Sequence, residues 1–257
     1  MPPTDHEGVL EPLPETGLRF SCHPSVPCFN VCCRDLRLTL TPYDILRMKK
    51  AAGLPSSAFL EQYTFVETDP EWKIPVIRLQ MSDDPVRSCP FVRAGGCSIY
   101  ADRPAACRTY PLGRASRRGP DGTEEHYFMV REAHCLGFRE GKLWTVPEWL
   151  RDQGLATYNE WTDRWMGFLS TYRPGARDLS EAQWKMFYMG CYSLDRFREF
   201  AFGTRLLSLV EISEERLERL RRNEEALLSF ALQWLAFSIF GEPVLKLRRA
   251  SLDDARP

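Results

Sequence analysis

The sequence predicts an α+β protein of two unlike halves. An irregular N-terminal half of short strands and helices precedes an all-helical C-terminal half. Two observations predict this. Eight of the nine cysteines fall between residues 22 and 135, in a stretch punctuated by glycine and proline. From Pro147 onward cysteines and turn residues thin out, and apolar residues recur at helical spacing. The expected boundaries are 18–146 for a cysteine-cluster domain and 147–245 for a helical domain packed on it. Residues 1–17 and 246–257 are expected to be flexible tails.

The opening MPPTDHEGVLEPLPETG is polar, acidic and proline-rich. It lacks the basic start and apolar run of a secretion signal, so a cytoplasmic, reducing setting is expected. Residues 18–35 carry Cys22, Cys28, Cys32 and Cys33 without clear periodicity, which reads as a loop wrapped around something. Neighbours such as Cys32 and Cys33 point different ways in an extended chain. They serve one centre only if the backbone turns tightly; otherwise they face two. Leu36, Leu38 and Leu40 alternate with Arg37 and Thr39, the pattern of a short half-buried strand. Thr41-Pro42 supplies an N-cap and a first-turn proline for a helix to about Ala52, closed by Gly53. Ser56 or Ser57 caps a second helix through Phe59, Leu60 and Tyr63. Ile74–Met81 reads as a strand, a candidate partner for Leu36–Leu40.

The densest signal runs from Cys89 to Pro111 and contains Cys89, Cys97 and Cys107. Gly95-Gly96 predicts a tight turn just before Cys97, which lets backbone N–H groups face a sulfur. Ile99 and Tyr100 are placed to shield a centre from water. Ala101–Thr109 predicts a short helix broken at Pro104 and ended before Pro111. Residues 114–126 read as a polar loop with a basic patch at Arg114, Arg117 and Arg118. Tyr127–Val130 reads as a strand leading to His134-Cys135, and Gly141-Lys142 as a hairpin turn before Leu143–Val146.

In the second half, Pro147 to about Tyr172 places Trp149, Leu155, Tyr158, Trp161, Trp165 and Phe168 at helical spacing, with Gly154 as a division. Pro174-Gly175 breaks the chain. Ser180 caps a helix with Trp184, Phe187, Cys191 and Tyr192 along one side, where Cys191 is a packing residue. Ser213 opens one long pattern, charged to Glu225 and apolar from Ala226 to Phe240, stopped by Gly241 and Pro243. That apolar run is shorter than the roughly 20 residues a membrane span needs, so a buried helix or an oligomer interface is expected and no membrane partner.

The near balance of charge, a net −1, excludes the basic field of a nucleic-acid reader. The first two helices are followed by no basic recognition helix. The cysteines need a reason of their own. A reducing compartment disfavours disulfides, and isolated core cysteines scatter rather than cluster in loops. Metal ligation remains. Thiolate is the ligating form, so four around Zn²⁺ or around an oxidised [4Fe–4S] core leave a net charge of about −2. Arg34, Arg103 and Arg108 lie close in sequence and are placed to offset it. No Cys-x-x-Cys pair and no His-x(3–5)-His is present, so spacing alone does not choose the metal.

The specific arrangement resembles a known family. Cys-x(5)-Cys-x(3)-Cys-Cys, then Cys-Pro-Phe, then Cys-Ser-Ile-Tyr-Ala-Asp-Arg-Pro-Ala-Ala-Cys-Arg-Thr-Tyr-Pro is similar to the YkgJ-type cysteine-cluster family, whose members are described as zinc- or iron-chelating. Its relatives include flagellin lysine N-methylases. The resemblance covers roughly residues 18–140 and is most specific from Cys97 to Pro111. It implies Cys22, Cys28, Cys32, Cys33, Cys89, Cys97, Cys107 and Cys135 as metal ligands. Arg103, Arg108 and Tyr110 stand around them. The expected function is metal binding, with an iron–sulfur cluster favoured over zinc. The alternative is an enzyme, a protein N-methyltransferase acting on a protein substrate. That reading lacks a Gly-x-Gly-x-x-Gly loop after a strand and the radical enzymes' Cys-x(3)-Cys-x(2)-Cys. No Ser-His-Asp signature is present either.

Overall fold

The structure, a computed structural model, describes residues 8–119, 122–139, 141–172 and 178–248. The chain begins with strand β1 (Val9–Pro12) and β2 (Leu18–Arg19), passes a 3₁₀ turn at Val31–Cys33, and continues through β3 (Thr39–Leu40). Helices α1 (Pro42–Ala51) and α2 (Ser56–Tyr63) follow, then β4 (Thr64–Thr68) and β5 (Pro75–Leu79). A small hairpin, β6 (Val92–Arg93) and β7 (Gly96–Cys97), leads through a second 3₁₀ turn at Tyr100–Asp102 to α3 (Ala105–Thr109). A long hairpin, β8 (Leu112–Gly119) and β9 (Gly122–Arg131), precedes a third 3₁₀ turn at Gly137–Arg139 and β10 (Leu143–Trp144). The rest is helical: α4 (Val146–Asp152), α5 (Leu155–Leu169), α6 (Glu181–Tyr192), α7 (Leu194–Gly203), α8 (Leu206–Leu209), α9 (Glu214–Arg222) and α10 (Glu224–Ser238). The α+β class and the helical C-terminal half are as the sequence predicts.

The chain forms two compact units, and each draws on two stretches of sequence. One comprises residues 1–48 and 78–164; the other comprises 49–77 and 165–257. In the first, β1, β9 and β8 form an antiparallel sheet in that order. β8 and β9 pair in register from Leu112↔Met129 to Gly119↔Gly122. This corrects two expectations. Residues 114–126 are not a loop, because Arg114 bonds Glu125 and Arg117 bonds Glu124 across the strands. Opposite charges facing one another stabilise a ladder that carries few apolar residues. The Arg114 guanidinium also reaches Asp163 at 2.8 Å, so this part of the basic patch is internally neutralised. Residues 9–12, expected in a tail, pair with β9 from Val9↔Arg131 to Pro12↔Phe128. The Glu11–Arg131 ion pair joins the same two strands. Residues 1–7 lie outside the described residues.

The expected pairing of residues 74–81 with 36–40 is present, with the Leu79 N–H donating to the Leu38 carbonyl at 3.0 Å. The core of this unit is aromatic where it meets the cysteine segments. Phe20 packs edge-on against Tyr110, Phe138 and Trp149. Tyr43 of α1 stacks on Trp161 and meets Tyr158 edge-on. A capping box of Thr145 and Glu148 starts α4.

In the second unit, α6, α7, α9 and α10 pack around Phe187, Phe197, Phe230, Leu227 and Leu235, all at most 1% exposed. Ser180 caps α6 with Gln183 in a capping box. Cys191 is 1% exposed and packs in this core, apart from the other eight cysteines. The pattern opened by Ser213 is two helices rather than one. Asn223 ends α9 in an extended conformation, and its side chain accepts from the Ala226 N–H to cap α10. Residues 246–248, expected to be frayed, are tied down: Glu211 N–H donates to Lys246, and Arg248 N–H to Leu209. The Pro174-Gly175 break lies outside the described residues. Among the described residues no helix is long and apolar enough to cross a membrane.

Candidate metal centre

All eight clustered cysteines belong to the first unit. The loop from Phe20 to Cys33 is a series of tight turns. Val26 N–H donates to His23, Phe29 to Val26, Val31 to Cys28 and Cys33 to Asn30. Asn30 takes a left-handed conformation (φ 65°), which this residue type tolerates. These turns shorten the segment and gather Cys22, Cys28, Cys32 and Cys33 without any sheet.

Two backbone seams hold that loop. On one side, Ser21 N–H donates to the Gly137 carbonyl and Phe20 N–H to Lys142. The Leu136 N–H points at the Cys28 sulfur at 3.1 Å. Cys135 is thereby brought beside Cys22 and Cys28. On the other side, Cys89 N–H donates to the Cys33 carbonyl at 2.8 Å, Arg34 bridges Ser88, and Asp35 N–H donates to Arg87. The Asn30 amide adds a bond to the Arg93 carbonyl. The β6–β7 hairpin then pairs Val92 with Cys97. Its turn needs Gly96, at φ 118°, where a Cβ would stand 3.3 Å from the Phe29 ring.

Cys107 is positioned by α3. Buried Asp44 accepts from the Ala105 N–H at 2.8 Å and from the Thr41 N–H and hydroxyl at 2.9 and 2.7 Å. One carboxylate therefore ties the start of α1 to the start of α3. At the other end, the Trp149 indole N–H donates to the Thr109 carbonyl. Arg108 is buried and donates to the carbonyls of Arg103, Gln153 and Ala101. Its guanidinium lies over the Tyr158 ring, 4.3 Å from the centroid. Arg103, also buried, donates to the Tyr100 carbonyl and the Gln153 side chain and stacks on Tyr100. Both arginines thus spend their donors on oxygen, while the Arg103 charge still bears on Cys97 and Cys107. Tyr110, buried at its hydroxyl, faces the Cys135 sulfur.

The electrostatics record how crowded the sulfurs are. Burial pushes the Cys22 thiol up to about 11, helped by Cys32, Cys135 and Cys28. Burial likewise raises Cys107 to about 12, with Cys89, Cys32 and Cys97 adding to it. Cys32 is raised by its bond to Cys33 and then by burial. Opposing this, the Leu136 N–H points at the Cys28 sulfur, and nearby backbone N–H groups partly offset the upward push at Cys89, Cys97 and Cys135. Donors aimed at sulfur favour thiolate, and a cation inverts the penalty of gathering so many of them. The donor chemistry therefore fits a thiophilic metal. Among the described residues, however, no three Cys, His, Asp or Glu side chains are already arranged to hold an ion. The eight thiols share one unit but are not preset around an ion.

Residues 21–136 match the family model CxxCxxCC, described as "Putative zinc- or iron-chelating domain". This segment is similar to that cysteine-cluster family. No curated protein and no solved structure matches the chain. Sequence reasoning passed over two residues that shape this segment. Asp44 positions α3 although it lies well outside the cysteine motifs; its signal was the Thr41-x-x-Asp44 spacing of a capped helix. Glu132, next to the His134 imidazole at 3.3 Å, places a carboxylate charge near Cys32 and Tyr110.

Proposed function

We propose that Cys22, Cys28, Cys32, Cys33, Cys89, Cys97, Cys107 and Cys135 bind iron as iron–sulfur, with zinc as the competing metal, and that holding this metal is what the domain does. The observation that supports the reading is that eight cysteines from five separate segments lie in one unit, with the Leu136 N–H aimed at the Cys28 sulfur. Hydrogen bonds to sulfur tune iron–sulfur centres, and the cysteine spacing is not that of the common zinc modules. In this reading Arg103 offsets part of the thiolate charge, and the buried Tyr110 hydroxyl faces Cys135.

The test is metal and sulfide analysis of anaerobically purified full-length protein with its absorption spectrum. Iron, acid-labile sulfide and a broad band near about 400 nm support the iron–sulfur assignment. Colourless protein with stoichiometric zinc selects zinc instead. Protein free of both metals refutes the reading.

A further inference from the structure

We infer that Trp149 and Gln153 of α4 are positioning residues for the metal centre, because together they hold the segment that carries Cys97 and Cys107. This rests on the reading that these cysteines are metal ligands. Helix α4 begins beyond residue 136, where the family match ends, yet it belongs to the same compact unit as the cysteines. Trp149 and Gln153 lie four positions apart and share one face of that helix. Both are buried. The Trp149 indole N–H donates to the Thr109 carbonyl, at the end of α3 and two residues past Cys107. Gln153 is used twice. Its backbone carbonyl accepts from Arg108 at 2.6 Å, and its side-chain oxygen accepts from Arg103. Its side-chain nitrogen donates to Asp152 at 2.8 Å, which leaves the oxygen for Arg103.

Each arginine then turns back onto the stretch between the two cysteines. Arg103 donates to the Tyr100 carbonyl, three residues after Cys97. Arg108, next to Cys107, donates to the carbonyls of Ala101 and Arg103. The two guanidinium groups thus brace Tyr100–Arg108 from within, and both braces end on Gln153. At the near end, the Ser98 N–H and hydroxyl both donate to the Phe91 carbonyl, which pins the neighbour of Cys97 to the small hairpin.

The stretch needs such bracing. Between Cys97 and Cys107 it holds only a 3₁₀ turn and the start of α3, and short turns of this kind fix the distance between their ends poorly. A guanidinium cannot shed its charge, and a buried charge keeps to its partners, so Gln153 is an anchor that both arginines hold. Groups that orient metal ligands from outside commonly account for about 10–100-fold in affinity.

The experiment compares three anaerobically purified, metal-loaded full-length proteins: wild type, Gln153→Met and Gln153→Glu. Methionine removes the oxygen that Arg103 uses and leaves the backbone carbonyl that Arg108 uses; glutamate restores an acceptor. Two rates are read: loss of metal to excess EDTA and, without chelator, alkylation of each cysteine by iodoacetamide, resolved by peptide mass spectrometry. Gln153→Met should lose metal about 10–100-fold faster, with circular dichroism like wild type. Before any metal leaves, Cys97 and Cys107 should be alkylated faster, and Cys22, Cys28 and Cys135 at the wild-type rate. Gln153→Glu should recover most of both effects. Wild-type rates in Gln153→Met overturn the inference. Equal acceleration at all eight cysteines also overturns it, because that is general loosening and not positioning. If Gln153→Met does not fold, Trp149→Phe carries the prediction, since it removes one N–H donor and keeps a ring against Phe20; wild-type alkylation of its Cys107 overturns the inference. Wild type without metal, its clustered cysteines all alkylated readily, refutes the underlying reading instead.

Discussion

Asp44→Ala should be among the most damaging single changes away from the cysteines. The carboxylate is 2% exposed and is the acceptor for two backbone N–H groups, Thr41 and Ala105, and for the Thr41 hydroxyl. Alanine leaves both amides without that acceptor in a largely buried setting. Each stranded donor costs about 1–2 kcal/mol, so the loss is about 2–4 kcal/mol. Against a net stability of roughly 5–15 kcal/mol this is a substantial fraction. The damage should also reach the cysteines, because Asp44 anchors the first residue of α3 and Cys107 lies two residues further on. Metal content should therefore fall along with stability. Asp44→Asn keeps one acceptor oxygen and should lose less of both. The assay is urea unfolding followed by far-ultraviolet circular dichroism, with metal per chain measured on the same samples. An Asp44→Ala protein within about 0.5 kcal/mol of wild type, the range of ordinary surface changes, and fully loaded with metal would refute this account of how α3 is held.

Four further outcomes are expected. Chelation should expose residues 18–140 to limited proteolysis, since a structural metal contributes about 10–16 kcal/mol in small peptides; protection of that segment without metal would show that the cysteines do not staple it. Gly141→Ala should destabilise by more than about 1 kcal/mol in a melting experiment, because φ is 92° and the new Cβ would stand 2.5 Å from the Phe20 carbonyl oxygen. Cys191→Ser should cost about 1–3 kcal/mol, for a hydroxyl in an apolar core, and leave metal per chain unchanged. Asp195→Ala should cost about 1 kcal/mol at neutral pH, since burial raises this carboxyl but the Ser57 hydroxyl and N–H more than offset it and hold it below the usual range. A lowered carboxyl stabilises above the unfolded value of roughly 4 and loses that contribution as pH falls through the folded value. The gap between variant and wild type should therefore close in acid, and a gap independent of pH would show that the carboxylate charge is not involved.

Much of the helical structure was legible because its signals are local. Thr41-Pro42 and Gly53 bracket α1, and Gly53 takes the left-handed φ of 67° expected past a helix end. Gly154, at φ 61°, divides α4 from α5. Ser180 forms the capping box of α6. The split between α9 and α10 was hidden because Asn223 lies inside a continuous run of helix-compatible residues and shows itself only as a cap. The β8–β9 hairpin was hidden for another reason. Its residues 114–126 have no apolar alternation, and its ladder relies on charges that meet only when the strands pair.

The candidate site divides in the same way. The sequence by itself determined which atoms are available: eight thiols in turn-rich segments, with a tight glycine turn before Cys97. Those properties belong to residue identity and to neighbours a few positions away. Which cysteines become neighbours was decided by the tertiary structure, through contacts distant in sequence. The bond from Leu136 to the Cys28 sulfur spans 108 positions, the Asp44–Ala105 bond spans 61, and the Trp149 bond to Thr109 spans 40. Hydrogen bonds of this kind form only after loop closure has been overcome by the packing of a whole unit. No pattern within a short window of sequence encodes them.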